Sequence, residues 1–272
     1  MSLKPNELFD LTGKVALVTG GATGIGRMAV EGLVAAGARV LLASRKADAC
    51  EAVAAEINAL GYSGSAEGFG GDVATQEGID ALVGEVKSRT EYLHILMNNA
   101  GRSWGAPLGE FPFDAWGKVM DLNVAGMFQL TQALLPVLEG SSSFDDPARV
   151  INVGSVMGDV PKGAGAYSYS VSKAGVHHMT SILGNELAER HITVNALAPG
   201  PFESKMTAFA LADESRADKT AQGVPLQRLG RPGDVAGTLQ FLCGRAGSYI
   251  TGAIIPLSGG INCHAGGSLF AE

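Results

Sequence analysis

"KVALVTGGATGIGRMAVEGLVAAG", residues 14–37, decides the architecture. Its first part, "KVALVTG", is an apolar run ending at Gly20 and reads as a buried strand. Its last part, "IGRMAVEGLVAAG", has helical periodicity and stops at Gly37, the kind of residue that closes a helix. The glycine turn "TGGATGIG", Thr19 to Gly26, joins the two. The chain then repeats the alternation. "ARVLLASR" reads as a second strand, and "ADACEAVAAEINALG" as a second helix closed by Gly61. "LHILMNNAG", "RVINVGS", "ITVNALAPG" and "AIIPLSG" read as further strands, and a weaker one near 65–72 makes seven. Helical stretches near 113–138, 168–190 and 232–244 lie between them.

Continuous apolar strands alternating with helices fit a parallel sheet buried on both faces. Right-handed crossovers then make it doubly wound. The expected fold is α/β: a single Rossmann-type doubly wound domain, 1–272, with a seven-stranded parallel sheet and helices on both faces. The segment "LEGSSSFDDPAR", 138–149, reads as a polar exposed loop.

Composition narrows the function classes. Of 272 residues, 46% are hydrophobic and 17% charged, which argues against disorder. A net charge of −7 without a basic stripe argues against a nucleic-acid partner. The opening "MSLKPNELFDLTGK" lacks the apolar core of a signal peptide, and no apolar run reaches membrane-spanning length. A soluble, cytoplasmic protein without a membrane partner is expected. Cys50, Cys243 and Cys263 are far apart and odd in number, so they read as buried small hydrophobes, not as a disulfide frame or a zinc site. No metal site is expected.

The turn at 19–26 has the spacing G-x-x-x-G-x-G. Glycines there let backbone approach a pyrophosphate, and the following helix presents free N–H groups and the positive end of its dipole. The bland reading is a plain tight turn. At the end of the second strand, where a ribose would lie, an NAD site usually places Asp or Glu. This chain has Ser44, Arg45 and Lys46 instead. An arginine can bind a 2′-phosphate through two donors, so NADP(H) is favoured. Asp72 ends the third strand and is a candidate partner for an adenine amino group.

With "NNAG" at 98–101, "NV" at 123–124, Ser155, Tyr169-x-x-x-Lys173 and Pro199-Gly200, the chain resembles the classical short-chain dehydrogenase/reductase family along nearly all its length. The resemblance implies catalytic roles for Asn123, Ser155, Tyr169 and Lys173. It also implies a cofactor site built from Gly20, Thr23, Gly24, Ile25 and Gly26, from Ser44, Arg45 and Lys46, and from Asp72 and Val73. Asn99, Ala100, Gly101, Tyr169, Lys173, Pro199, Gly200, Phe202 and Ser204 complete it. Tyr169 stands four residues before Lys173, one helical turn away. Lysine and the positive nicotinamide would draw its phenol, ordinarily near pKa ~10, toward a useful range. Ser155 and Tyr169 are 14 positions apart, one more than in most members. "AYSYSVSK" and "APGPFESKMT" look closer to the rhamnolipid-associated 3-oxoacyl reductase branch. A rival reading makes Tyr167 the acid, at the cost of the spacing to lysine; otherwise Tyr167 is pocket wall or helix packing.

The implied activity is an NADP-dependent oxidoreductase on CH–OH groups. Residues 201–225 form a lid with Phe202, Met206, Phe209 and Leu211, and Trp104, Met157, Val160 and Tyr167 could add to the wall. That apolar set favours an apolar ketone or secondary alcohol, bulky ones included. The alternative is a 3-oxoacyl thioester (ACP or CoA) reductase. Acyl carrier protein is acidic and needs a basic dock, yet Phe128–Glu139 has no Lys or Arg and Asn185 stands where related enzymes often carry arginine. Relatives are mostly tetramers, so a homotetramer or homodimer is implied. His177 and His178 are expected to be packing or interface residues.

Overall fold

A computed structural model describes residues 3–161, 163–203 and 214–263. The chain opens with a short helix, α1 (Pro5–Leu8), then β1 (Val15–Thr19), α2 (Gly24–Ala35), β2 (Arg39–Ser44), α3 (Ala47–Asn58) and β3 (Ser65–Gly70). Helix α4 (Gln76–Arg89) and strand β4 (Ile95–Asn98) follow. Helices α5 (Asp114–Met120) and α6 (Met127–Glu139) are joined by a π-helical turn over Asp121–Gly126. Then come β5 (Ala148–Val153), α7 (Tyr167–Glu186), β6 (Ile192–Pro199), α8 (Glu214–Gln222), α9 (Pro232–Cys243) and β7 (Ile254–Leu257).

All seven expected strands are present in one parallel sheet of order β3-β2-β1-β4-β5-β6-β7. Side chains alternate across it, as the two-residue strand period requires. Ala16, Val18, Val40, Leu42, Ile95 and Met97 face one core with Leu33 of α2, Ile57 of α3 and Leu239 of α9. Leu17, Leu41, Leu96 and Val150 face the other, with Leu82 of α4, Leu134 of α6 and Leu183 of α7. This two-sided burial explains why the strands read as unbroken apolar runs. Helix α4 is an addition to the elements read from sequence. Its buried residues, Ile79, Leu82, Val83 and Val86, are interleaved with charged ones.

The order of the strands reverses between β1 and β4, and Val18 pairs with Met97 there. A crevice must open beyond their carboxyl ends, because the chain leaves β1 toward one side of the sheet and β4 toward the other. The glycine turn after β1 and the "NNAG" segment after β4 therefore lie side by side. Of the cysteines, Cys50 and Cys243 are buried as expected. Cys263 is exposed, since it ends a short 3₁₀ turn after β7 that buries no residue. No helix among the described residues is long and apolar enough to cross a membrane. Among those residues no cluster of His, Cys, Asp or Glu could hold a metal.

Candidate active site

The crevice has two connected parts. One is lined by Gly20, Ser44, Arg45, Asp72, Val73, Ala100 and Gly101, with Thr19, Arg102 and Leu122. The other is lined by Thr23, Gly24, Ile25, Asn99, Ser155, Tyr169, Lys173, Pro199, Gly200 and Phe202, and again by Gly20, Ala100 and Gly101. Most residues expected from sequence thus converge on one cleft. Ser204, and the lid residues Met206, Phe209 and Leu211, lie outside the described residues. Lys46 departs from expectation. It is exposed at the cap of α3 and does not line the cleft, because the turn after Ser44 carries it outward.

The floor of the cleft is made by glycine packing. Gly20 has φ +66°, a left-handed conformation suited to glycine, and a Cβ there would meet Asn99 Nδ2 at 2.9 Å. A Cβ on Gly26 would come within 2.3 Å of the Gly20 carbonyl oxygen. Gly26 therefore serves the approach of α2 to the turn and does not line the cleft itself. The cap of α2, Thr23, makes no side-chain bond to the first turn, and that turn carries no acidic residue. Free N–H groups and the positive end of the helix dipole thus face the crevice, and they suit a pyrophosphate. Asp72 accepts from the Ala74 N–H through one carboxylate oxygen at 3.0 Å, which fixes the carboxylate and leaves its other oxygen to accept from a base. The residues present fit a dinucleotide.

Thr19 was not among the candidate contacts, yet it ties the two loops together. Its hydroxyl accepts from the Asn99 and Ala100 N–H groups at 3.0 and 3.1 Å and donates to the Met97 carbonyl at 3.3 Å. Asn99 returns two bonds, from Nδ2 to the Thr19 and Gly20 carbonyls. Deeper still, a ladder of buried polar side chains crosses the sheet. Asn98 donates to Thr131 of α6 and to Asn152 of β5, and Asn152 donates to Thr180 of α7, each at 2.9–3.0 Å.

Asn123 sits in the π-helical turn, a distortion found often at functional positions. Its side chain is buried and does not open on the cleft. It accepts from the Arg102 N–H and donates to the Arg102 carbonyl, both at 2.9 Å, and donates to the Ser172 hydroxyl at 3.0 Å. A Cβ placed on Gly101 would lie 3.2 Å from Asn123 Oδ1 and 3.6 Å from Lys173 Nζ, so both groups close on the same point. Arg102 is a further residue that sequence reading did not single out. It lies just past "NNAG", where the motif gives no signal.

Tyr169 and Lys173 rise from the first two turns of α7. Ser155 caps a short 3₁₀ turn after β5, and its hydroxyl accepts from the Met157 N–H at 3.2 Å. Burial pushes the Tyr169 phenol above its ordinary value, and a hydrogen bond with Ser155 partly opposes that. Burial also lowers the Lys173 ammonium from 10.5 to about 8. Lys173 Nζ donates to the Val153 carbonyl at 2.6 Å and stands 5.6 Å from the Tyr169 ring centre. Tyr167 packs its ring edgewise on Phe111 at 5.4 Å, and Phe111 in turn on Trp116. It belongs to an aromatic cluster, in line with the packing alternative.

The family model for short chain dehydrogenases matches residues 14–215. The chain belongs to this family. Among curated proteins it is 42% identical over 254 residues to a rhamnolipids biosynthesis 3-oxoacyl-[acyl-carrier-protein] reductase of Pseudomonas aeruginosa, covering 93% of this chain and 98% of that one. It is 36% identical over 253 residues to the 3-oxoacyl-[acyl-carrier-protein] reductase FabG of Aquifex aeolicus, covering 93% and 99%. Among solved structures it superimposes on an active-site complex of RhlG from P. aeruginosa with NADP, with a TM-score of 0.91 at 42% identity, over 94% of this chain and 99% of that one. As a short-chain dehydrogenase the chain is an oxidoreductase, and its Rossmann-type sheet is the scaffold for that chemistry.

Proposed function

We propose that this short-chain dehydrogenase is an NADPH-dependent reductase of 3-oxoacyl thioesters. The observation that carries the reading is full-length similarity to 3-oxoacyl-acyl-carrier reductases, joined to a Ser155, Tyr169 and Lys173 set opening on one cleft. The sequence expectation put free apolar ketones first. That ranking gives way, because relatives named as 3-oxoacyl-[acyl-carrier-protein] reductases match 93% of this chain. The segment leaving the cleft at Arg102 also suits an acyl chain. It exposes Leu108 by 78% and Phe113 by 92%, with Trp104 partly open.

In this reading Ser155 donates to the substrate carbonyl oxygen, and Tyr169, protonated at neutral pH, gives that oxygen a proton. Lys173 would hold the ribose hydroxyls of the cofactor and pass the replacement proton toward Tyr169. Asn123 holds the Arg102 backbone and so the wall beside Lys173. Bound NADPH supplies the hydride. Arg45, just past the end of β2 where an NAD site usually carries an acid, would receive the 2′-phosphate.

Two measurements test this. Initial rates with acetoacetyl-CoA, a 3-oxoacyl-carrier thioester and a bulky aryl ketone should give a kcat/KM at least about tenfold higher on the thioesters than on the ketone. A clear preference for the ketone overturns the thioester reading. Arg45→Asp should raise the KM for NADPH by about 10–100-fold and narrow the preference over NADH, since a charge-assisted contact of this kind is worth roughly 1.5–3 kcal/mol. An unchanged NADPH/NADH ratio removes Arg45 from phosphate recognition.

A further inference from the structure

His177 follows Lys173 by one turn of α7, and it is buried. Sequence reading gave it a packing role. Its surroundings are more specific. The Ser155 N–H donates to His177 Nε2 at 3.4 Å, and His177 Nδ1 lies 2.8 Å from Asp159 Oδ1. An N–H donor facing Nε2 requires that nitrogen to be the acceptor, so the ring proton is on Nδ1 and is donated to Asp159. The ring is seated between two glycines. A Cβ on Gly154 would stand 2.1 Å from Nε2, and one on Gly158 would stand 2.8 Å from Cε1. Gly154, Ser155 and Gly158 are thus shaped around an imidazole, and Asp159 selects its tautomer.

We propose that His177, oriented by Asp159, is a positioning residue for carbonyl reduction: it holds the Ser155 backbone N–H and so fixes the hydroxyl that addresses the substrate oxygen. The bond restrains the backbone at the residue between β5 and the 3₁₀ turn, where no regular ladder does so. Without it the Ser155 hydroxyl keeps its bond from the Met157 N–H and its contact with Tyr169, but the Ser155 backbone loses its tie to α7. This inference rests on the catalytic reading of Ser155.

The test compares His177→Leu, His177→Gln and Asp159→Ala with the unmodified enzyme, using the fastest substrate of the panel above, with Ser155→Ala as control. Leucine fills the space but accepts no hydrogen bond. Glutamine can place an acceptor oxygen near the position of Nε2. The expected result is a kcat about tenfold lower for His177→Leu with the NADPH Kd within about twofold, and recovery to within about threefold in His177→Gln. Asp159→Ala keeps the ring but frees its tautomer, and should lower kcat by about three- to fivefold. It is partly exposed, so this variant also decides the matter if His177→Leu does not fold. Wild-type kcat in His177→Leu or Asp159→Ala, or a His177→Gln as slow as His177→Leu, overturns the proposal. If Ser155→Ala keeps its rate, the catalytic reading of Ser155 fails and the proposal falls with it. If Ser155→Ala loses turnover while the His177 variants do not, the proposal alone fails.

Discussion

Tyr169→Phe will lower kcat for carbonyl reduction by about 10²–10⁴-fold, the contribution typical of a positioned general acid. The Kd for NADPH, read by fluorescence titration, will stay within about threefold, because the ring and its backbone remain in place. Tyr167→Phe is the matched comparison. That ring packs against Phe111, so losing its hydroxyl should change kcat by less than about threefold. The reverse pattern would transfer the acid role to Tyr167. The environment of Tyr169 also sets a direction. Burial raises its phenol above the ordinary value, so at neutral pH it stays protonated and ready to donate. Reduction suits that state. Alcohol oxidation needs the phenolate, so its rate should climb with pH through the alkaline range while reduction declines.

Lys173→Met will have opposite effects on turnover and stability. Turnover will fall by about 10²-fold or more, since the charged relay beside the tyrosine is gone. The folded state will gain about 2–3 kcal/mol at neutral pH, because a buried ammonium is replaced by an apolar chain of similar length. The gain has a pH signature. Lys173 has a pKa of about 8 in the folded protein against an ordinary 10.5. Below pH 8 the group is charged in both states, and the wild type carries the full desolvation cost. Between 8 and 10.5 the folded protein sheds the proton while the unfolded chain keeps it, so wild-type stability rises relative to the variant. Denaturant melts at pH 7 and pH 10 should show the difference between the two proteins shrink. A Lys173→Met variant less stable than wild type at pH 7 would show that the bond to the Val153 carbonyl outweighs burial.

The central strands were legible because burial on both faces leaves few polar positions to blur them, whereas β3, partly exposed, gave only a weak signal. Helix α4 was not, because its buried stripe of Ile79, Leu82, Val83 and Val86 is diluted by charged neighbours on the solvent side. The pairing of Tyr169 with Lys173 was readable from the family resemblance, with the one-turn spacing favouring Tyr169 over Tyr167. The bond from Lys173 to the Val153 carbonyl was not, since it comes from a strand 20 residues earlier. Asn123 was found by its motif, but its inward orientation follows from the π-helical turn, which no residue type announces. Arg102 escaped notice, and His177 was given only a packing or interface role, for a similar reason. Each takes its significance from a loop distant in sequence, and a lone histidine or arginine carries no pattern of its own.

The polar ladder through Asn98, Asn152, Thr131 and Thr180 has a consequence for how such a protein can change. Hydrogen bonds are directional, whereas apolar contacts slide and repack. The ladder clamps α6 and α7 to β4 and β5 at fixed orientations. Exposed side chains such as Trp104, Leu108 or Phe113 can therefore be exchanged without tilting the helix that bears Tyr169. Alteration at the rim and constancy at the hydroxyl proposed as proton donor become separable, which makes this scaffold ready to acquire new specificities.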